Sequence, residues 1–415
     1  MRVLMVTNSF LSSYLGGAEV SIYSSAVGLL AAGHDVRILA VNARGREPKN
    51  RELNVDGLVV HEVDLARRWK NRFQQTYDPG VAAALRNEIS RFRPDVIHTH
   101  NLSGASLAPF PVASQVGLPV VATLHDHWLL CANNMLMRRD HSLCPPESGG
   151  CRHCFREYDY WAPIPRRRNV FRWLTRQVYT FISPSQHLID LHVRGGYERE
   201  RFVLLRHGLR PLPRPPIGSP PVVSSLHVGA QTMVLVAAIT VSKGVEILCR
   251  ALPRLVEGIP NFRLIVAGRG PAKHEERLRS FGEQVTLLGL VPRSHIVDVF
   301  AGAGLAVLPS TYWDNSPISI CESLMAGTPV LGARIGGIPE LIIAGETGYL
   351  HNHNSPDELA ETAIAHFSRP ANERRAMRRV CMAYGEREFS VERHVSQLVS
   401  IYSSAIKRGG AVGPH

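Results

Sequence analysis

The stretch "MVLVAAITVSKGVEILCRALPRLVEG", residues 233–258, passes from an unbroken apolar run into apolar positions at helical spacing, with Lys243 and Gly244 at the change. A short run rich in Val, Leu and Ile reads as a strand covered on both faces of a parallel sheet, and a helix follows it. The pattern then repeats. "FRLIVAG", "VTLLGLV", "SHIVDVFAGA" and "LAVLPS" continue it downstream. Upstream, "RVLMVT", "DVRILAV", "DVIHTH", "PVVATLHD" and "TFISPS" read as strands, and "GAEVSIYSSAVGLLAAGH" as a helix stopped near Gly33. The alternation predicts two α/β domains in tandem, each with a parallel sheet.

The prolines of "HGLRPLPRPPIGSPPVVSSLHVGAQ" can continue neither a helix nor a ladder, so 207–231 is expected to be a linker. The expected organisation is a first domain at 1–206, a second at 232–388, a closing helix at 389–407 and a loose tail at 408–415.

A chain of 415 residues, 45% apolar, can bury more than one core. The opening "MRVLMVTNSF" is too short an apolar run for a secretory leader, and no stretch reaches membrane-spanning length. A cytoplasmic protein is therefore expected, with its seven cysteines reduced. The formal charge of +12 fits nucleic acid, anionic lipid or a phosphate-rich substrate equally well. Its densest block puts Arg166, Arg167, Arg168, Arg172 and Arg176 on one expected helix with Val170, Phe171, Leu174 and Val178. The preferred reading is a surface helix with solvated arginines; a helix resting on anionic lipid at the inner membrane face is the second. Nucleic acid is disfavoured, because stacking aromatics are not interleaved with the basic residues.

Chemistry-bearing residues gather at the ends of expected strands. Gly16 and Gly17 separate the first strand from the first helix, where backbone can approach an anion, although the full dinucleotide fingerprint is lacking. "HTHNLSG" and "TLHDHW" place His100, Asn101, His125 and Asp126 at the carboxyl edge of the sheet, where open α/β sheets bind ligands. Imidazole and carboxylate there could orient hydroxyls or exchange protons. Lys243, with Gly244, faces the positive end of its helix, a placement better explained by a bound anion. Farther on, "STYWDNSPISICESLMAGTPVLGARIGGIPELIIAGETGYL" (310–350) combines Asp314 and Glu322 with Gly327, Gly336, Gly337, Gly345 and Gly348.

In order along the chain, GGAE, HTH, TLHD, SPS, KG, VAGRGP, LPS, D-x7-E, AGTPV, GGIPE and GETGYL resemble the family-4 retaining glycosyltransferases of the GT-B fold. The resemblance implies two Rossmann-like domains facing a cleft, the first binding the acceptor and the second a nucleoside-diphosphate sugar. It implies that Glu322 holds the ribose hydroxyls and that Asp314, where the family usually has Glu, faces the transferred sugar. Lys243 and Gly244 would lie at the diphosphate, and amides near Asn315, Ser316 and Ile318 would meet sugar or phosphate. Gly16 and Gly17 would approach the same phosphates, and His125, with Asp126, would lie near the reacting sugar. His100 and Asn101 would lie on the acceptor side. No catalytic metal is implied. One departure stands out. Ala238 occupies the position of the family's usual phosphate-binding Arg, and Arg269 is the nearest candidate to replace it.

Cys131, Cys144, Cys151 and Cys154 read C-x12-C-x6-C-x2-C in a loop rich in Pro and Gly, an insertion at 131–154. Four soft ligands on a free chain suit a structural zinc ion, with an iron–sulfur cluster second and free or redox thiols third. The function expected from the whole is sugar transfer, with retention, from a UDP- or GDP-type donor to a hydroxyl of a glycan or lipid-linked acceptor, in polysaccharide or glycoconjugate synthesis. A sugar-nucleotide epimerase and a non-catalytic binding scaffold are the alternatives.

Overall fold

The structure is a computed structural model, and it describes all residues except 11–15, 43–46, 48, 66–71, 149–166, 212–230 and 412–415. The chain divides into two units, one formed by Met1–Gly208 with Val391–His415 and the other by Leu209–Ser390.

Unit 1 contains β1 (Arg2–Thr7), α1 (Gly17–Ala31), β2 (Asp35–Asn42), β3 (Lys49–Val55), β4 (Leu58–Asp64), α2 (Pro79–Phe92), β5 (Val96–Thr99) and α3 (Pro109–Gln115). These are followed by β6 (Val120–Thr123), α4 (Arg167–Leu174), β7 (Thr180–Ser183), α5 (Gln186–Arg194) and β8 (Phe202–Leu204). The sheet order is β3-β4-β2-β1-β5-β6-β7-β8, parallel throughout except that β3 runs antiparallel to β4. The β3–β4 hairpin escapes the apolar-run reading because β3 is mostly exposed. Its signal is Asp56-Gly57, both at positive φ, the pair that a tight hairpin turn requires. Every residue of β5, β6 and β7 is buried, as expected of central parallel strands.

Unit 2 comprises β9 (Thr232–Val236), α6 (Val245–Gly258), β10 (Arg263–Ala267), α7 (Ala272–Arg279), β11 (Val285–Gly289), α8 (Arg293–Gly302) and β12 (Leu305–Leu308). Then come α9 (Ile318–Met325), β13 (Val330–Ala333), β14 (Gly348–His351), α10 (Pro356–Ser368) and α11 (Ala371–Glu388). Its strands are ordered β11-β10-β9-β12-β13-β14 and pair in parallel. The reversal of order at β9 puts the β9–α6 and β12–α9 loops side by side at the carboxyl edge, the usual ligand position of such sheets.

The last helix, α12 (Val391–Ala411), belongs to unit 1. Leu398, Tyr402 and Ala405 enter the core that holds Val3, Met5 and Ile22. Gly28 on α1 permits the approach, since a Cβ there would stand 2.7 Å from Val391 Cγ2. The helix continues past residue 408, where the tail was expected to begin. Glycines in a last turn weaken a helix without forbidding it, and Pro414 is the next residue that cannot continue one. The proline-rich stretch lies almost wholly outside the described residues.

The arginine-rich segment also differs from expectation. α4 ends at Leu174, so Arg176 and Val178 lie beyond it, while Arg166 is outside the described residues. Arg167 is 5% exposed, donates to the carbonyls of Trp128 (2.6 Å) and Leu129 (3.3 Å), and lies 3.8 Å from the centre of the Phe171 ring. Arg168 donates to the Leu130 carbonyl. These two cations hold a loop instead of facing solvent, because carbonyls left outside any ladder need donors. Among the described residues no helix is long and apolar enough to cross a membrane.

Candidate functional site

In unit 2 the β9–α6 and β12–α9 loops are joined by backbone. Thr311 N–H donates to Ser242 O (2.9 Å), and Thr311 Oγ1 donates to Val241 O (2.9 Å). Gly244 caps α6 at φ +80°, and a Cβ on it would fall 1.8 Å from Pro309 O. Only glycine lets the two loops meet so closely. Gly336 does the same at φ +62° against Asp314 O, which also accepts from Gly337 N–H at 2.8 Å.

This joint brings Lys243 Nζ to 2.5 Å from Asp314 Oδ2. Ser310 Oγ donates to the same oxygen (3.0 Å), and Tyr312 OH donates to Oδ1 (3.0 Å) while accepting from Lys243 Nζ (3.3 Å). Burial pulls the Lys243 pKa down, but Asp314 outweighs it and the net shift is upward, so the ammonium stays charged. Burial, then the adjacent carboxylate, raises the Tyr312 hydroxyl and keeps it a donor. Asp314 is 5% exposed with both oxygens engaged. The short Asp side chain is held by Lys243, Ser310 and Tyr312. Sequence reading missed Ser310 and Tyr312, although both stand within four residues of Asp314.

Beside this cluster α9 begins at Ile318 behind Pro317, with no side chain capping it. Asn315, Ser316 and Ile318 are buried there, and the Ser316 hydroxyl has no hydrogen-bond partner. A buried unpaired hydroxyl at an uncapped helix start suits an anionic or hydroxylated ligand. Glu322 is also buried, and Arg293 of α8 pairs with it. Burial raises the Glu322 carboxyl and Arg293 opposes that rise. Arg293, twenty-nine positions away, was also missed. Arg269 hydrogen-bonds Ile239 N–H through its carbonyl, and its guanidinium passes about 3.6 Å from where a Cβ of Gly289 would be.

Unit 1 presents a second group of polar residues. His100, Asn101, His125, Asp126 and Trp128 line a small pocket at the carboxyl ends of β5 and β6. His100 Nδ1 and His125 Nε2 share a hydrogen bond of 3.0 Å, and the buried His100 Nε2 has no partner. Whichever tautomer His100 adopts, a ligand hydroxyl could satisfy that nitrogen, since a hydroxyl both donates and accepts. Burial lowers His125 to about 4, so the ring is neutral at pH 7. Asp126 is raised to about 6 by burial, against the Trp128 N–H (2.8 Å) and Arg167, which favour the ion. Asn101 Oδ1 is taken by Ser103 N–H, which makes it a turn former.

Gly16 caps α1, and Gly17 is its first residue. The Glu19 carboxylate folds back over Gly16 and accepts from Ser9 Oγ at 2.9 Å. A carboxylate already answers that helix dipole, so the glycine pair gains no separate support as a phosphate site. Cys131 and Cys144 are buried, and Cys131 Sγ donates to Asn133 Oδ1 at 2.6 Å. Cys151 and Cys154 are outside the described residues, and no metal-binding group of three or more ligands occurs among the described ones.

Two α/β units, each built on a largely parallel sheet, match the fold of the GT-B glycosyltransferases. Among solved structures, sucrose-phosphate synthase from Thermosynechococcus elongatus superposes with a TM-score of 0.72 at 17% identity, covering 98% of this chain and 99% of that one. Anabaena HepE in complex with UDP and glucose gives 0.70 at 18% identity, covering 97% and 100%. The family description "Glycosyltransferase Family 4" matches residues 15–211 and "Glycosyl transferases group 1" matches 230–368. The chain belongs to the group 1 glycosyltransferases. It is 24% identical over 372 residues to glycogen synthase of Mycobacterium tuberculosis, covering 84% of this chain and 81% of that protein. It is 26% identical over 422 residues to D-inositol 3-phosphate glycosyltransferase 1 of Catenulispora acidiphila, covering 95% and 92%.

Proposed function

We propose that the protein transfers a sugar, with retention, from a nucleoside-diphosphate donor of the UDP or GDP type to a hydroxyl of a glycan or lipid-linked acceptor, in polysaccharide or glycoconjugate synthesis. The observation that carries this reading is the buried, unpartnered Ser316 hydroxyl at the uncapped start of α9, on the same loop as the Asp314 that pairs with Lys243. The diphosphate would draw on the helix start and on Lys243, whose charge answers the negative charge that develops on the leaving group. Glu322 would accept from the ribose. The pocket lined by His100, His125 and Asp126 would take hydroxyls, with neutral His125 free to donate or accept. A UDP donor is favoured by HepE, solved with UDP and glucose. The four cysteines, with zinc, would support the loop at 131–154 and take no part in transfer. An anionic membrane face is a proposed secondary contact.

The test is incubation with UDP- and GDP-sugars and a panel of hydroxylated acceptors, with the product's anomeric configuration read by NMR. A glycoside of the donor's configuration supports the proposal; an inverted one contradicts retention, and free epimerised sugar with no acceptor adduct indicates the epimerase. A non-catalytic binder is the second reading. Ala238 removes a phosphate cation, and Lys243 already spends charge on Asp314. Nucleotide binding without turnover on any donor supports it.

A further inference from the structure

Glu322, on α9, is 2% exposed, and Arg293 reaches it through Nη2 from a side chain 31% exposed. Arg293 is the first residue of α8, behind Pro292 at the cap position. A cation there faces the positive end of its own helix, so α8 does not explain it. Glu322 does.

The surrounding groups are occupied elsewhere. On α11, which packs against α9, Arg378 donates to the carbonyls of Ala301 and Ala303, and Cys381 Sγ donates to Thr347 O. Tyr384 packs edge-on to Phe389. On α8, His295 lies 4.0 Å from Asp298. Arg293 is thus the cation that acts on the Glu322 carboxyl among the described residues.

A carboxylate accepts hydrogen bonds at both oxygens only while ionised, and a buried one left alone takes up a proton. We propose that Arg293 is a positioning residue, fixing the Glu322 carboxylate so that it accepts from the ribose hydroxyls of the donor nucleotide. The proposal rests on the donor reading above. Arg293 touches the acid and not the reacting atoms, so within the site its loss acts through ribose recognition.

Calorimetric titration of the full chain with UDP, GDP, ADP and their 2′-deoxy forms, at pH 6 to 8, tests this. The nucleotide that binds the wild type is expected to bind at least about tenfold more tightly than its deoxy form, since a site built for a hydroxyl penalises its absence. Arg293→Met should lose that margin while keeping its affinity for the deoxy form. Its affinity for the ribonucleotide should rise with pH over a higher range than the wild type's, because Arg293 no longer opposes the upward pull of burial on Glu322. Glu322→Gln should show the same collapsed ratio, and the double variant no further loss. An unchanged ratio and a pH profile like the wild type's in Arg293→Met overturn the proposal. If that variant does not fold, Arg293→Gln removes the charge with less loss of polarity, and an unreduced ratio there overturns it equally. Equal binding of ribo and deoxy forms by the wild type removes the ribose role of Glu322 and the proposal with it. No binding of any nucleotide by the wild type overturns the donor reading itself.

Discussion

Lys243 Nζ stands 2.5 Å from Asp314 Oδ2, and the two residues come from loops seventy-one positions apart. The pair is buried on the acid's side, so removing one partner strands the other. Lys243→Ala or Asp314→Ala alone should each lower stability by about 3 kcal/mol. The double variant Lys243→Ala/Asp314→Ala should recover much of that loss, because no charge remains unpaired. Activity behaves differently: transfer should fall by about 10²-fold or more in every variant lacking Lys243, recovered stability or not. Urea unfolding and initial rates on the same preparations separate the two effects.

Gly244→Ala forces a methyl group against Pro309 O at a backbone angle that favours glycine. A loss of about 3 kcal/mol or more is expected. The measurement is the urea midpoint, and a variant as stable as wild type would mean that the two loops need not meet.

Unit 1 should be acid-labile. His98 is 1% exposed between Tyr402 OH (2.6 Å) and Thr123 Oγ1 (2.7 Å), and His394 lies between Ser25 Oγ and Arg206 O. Burial lowers them to about 3 and about 4. The unfolded chain binds these protons more readily, so stability is full above pH 6.5 and is lost as pH falls toward the folded values. At pH 5 each neutral His costs about 2 kcal/mol. His98→Gln and His394→Gln should flatten the pH dependence of unfolding, measured from pH 7.5 to 4.5.

Asp126 shifts the other way. Its carboxyl is raised to about 6, so the folded state prefers the proton, and ionisation burdens the fold as pH rises through 6. Asp126→Asn should be more stable than wild type at pH 7.5, by about 1–2 kcal/mol given partial exposure, with the gain gone below pH 4. Thermal melts at the two pH values check it.

The sheets were legible because central parallel strands are buried on both faces and so carry apolar runs, as β5, β6 and β12 do. The β3–β4 hairpin was hidden because one of its strands is mostly exposed and only its turn carries a signal. Lys243 and Asp314 were legible as candidates, but their pairing was not, since the loops meet only through Gly244 and the Thr311 bonds. Arg167 was read as a solvated surface cation and Arg293 was not singled out, for the same reason: a partner distant in sequence leaves no local trace. The cysteine loop remains an expectation, resting on spacing and ligand softness.

The most direct measurement is the shift in melting temperature of the full chain with UDP, GDP and ADP, repeated on Glu322→Ala. The account predicts a rise of several degrees at a hundredfold excess over Kd with one nucleotide, lost in the variant. No rise with any nucleotide, or an equal rise in Glu322→Ala, would contradict the placement of donor binding at α9.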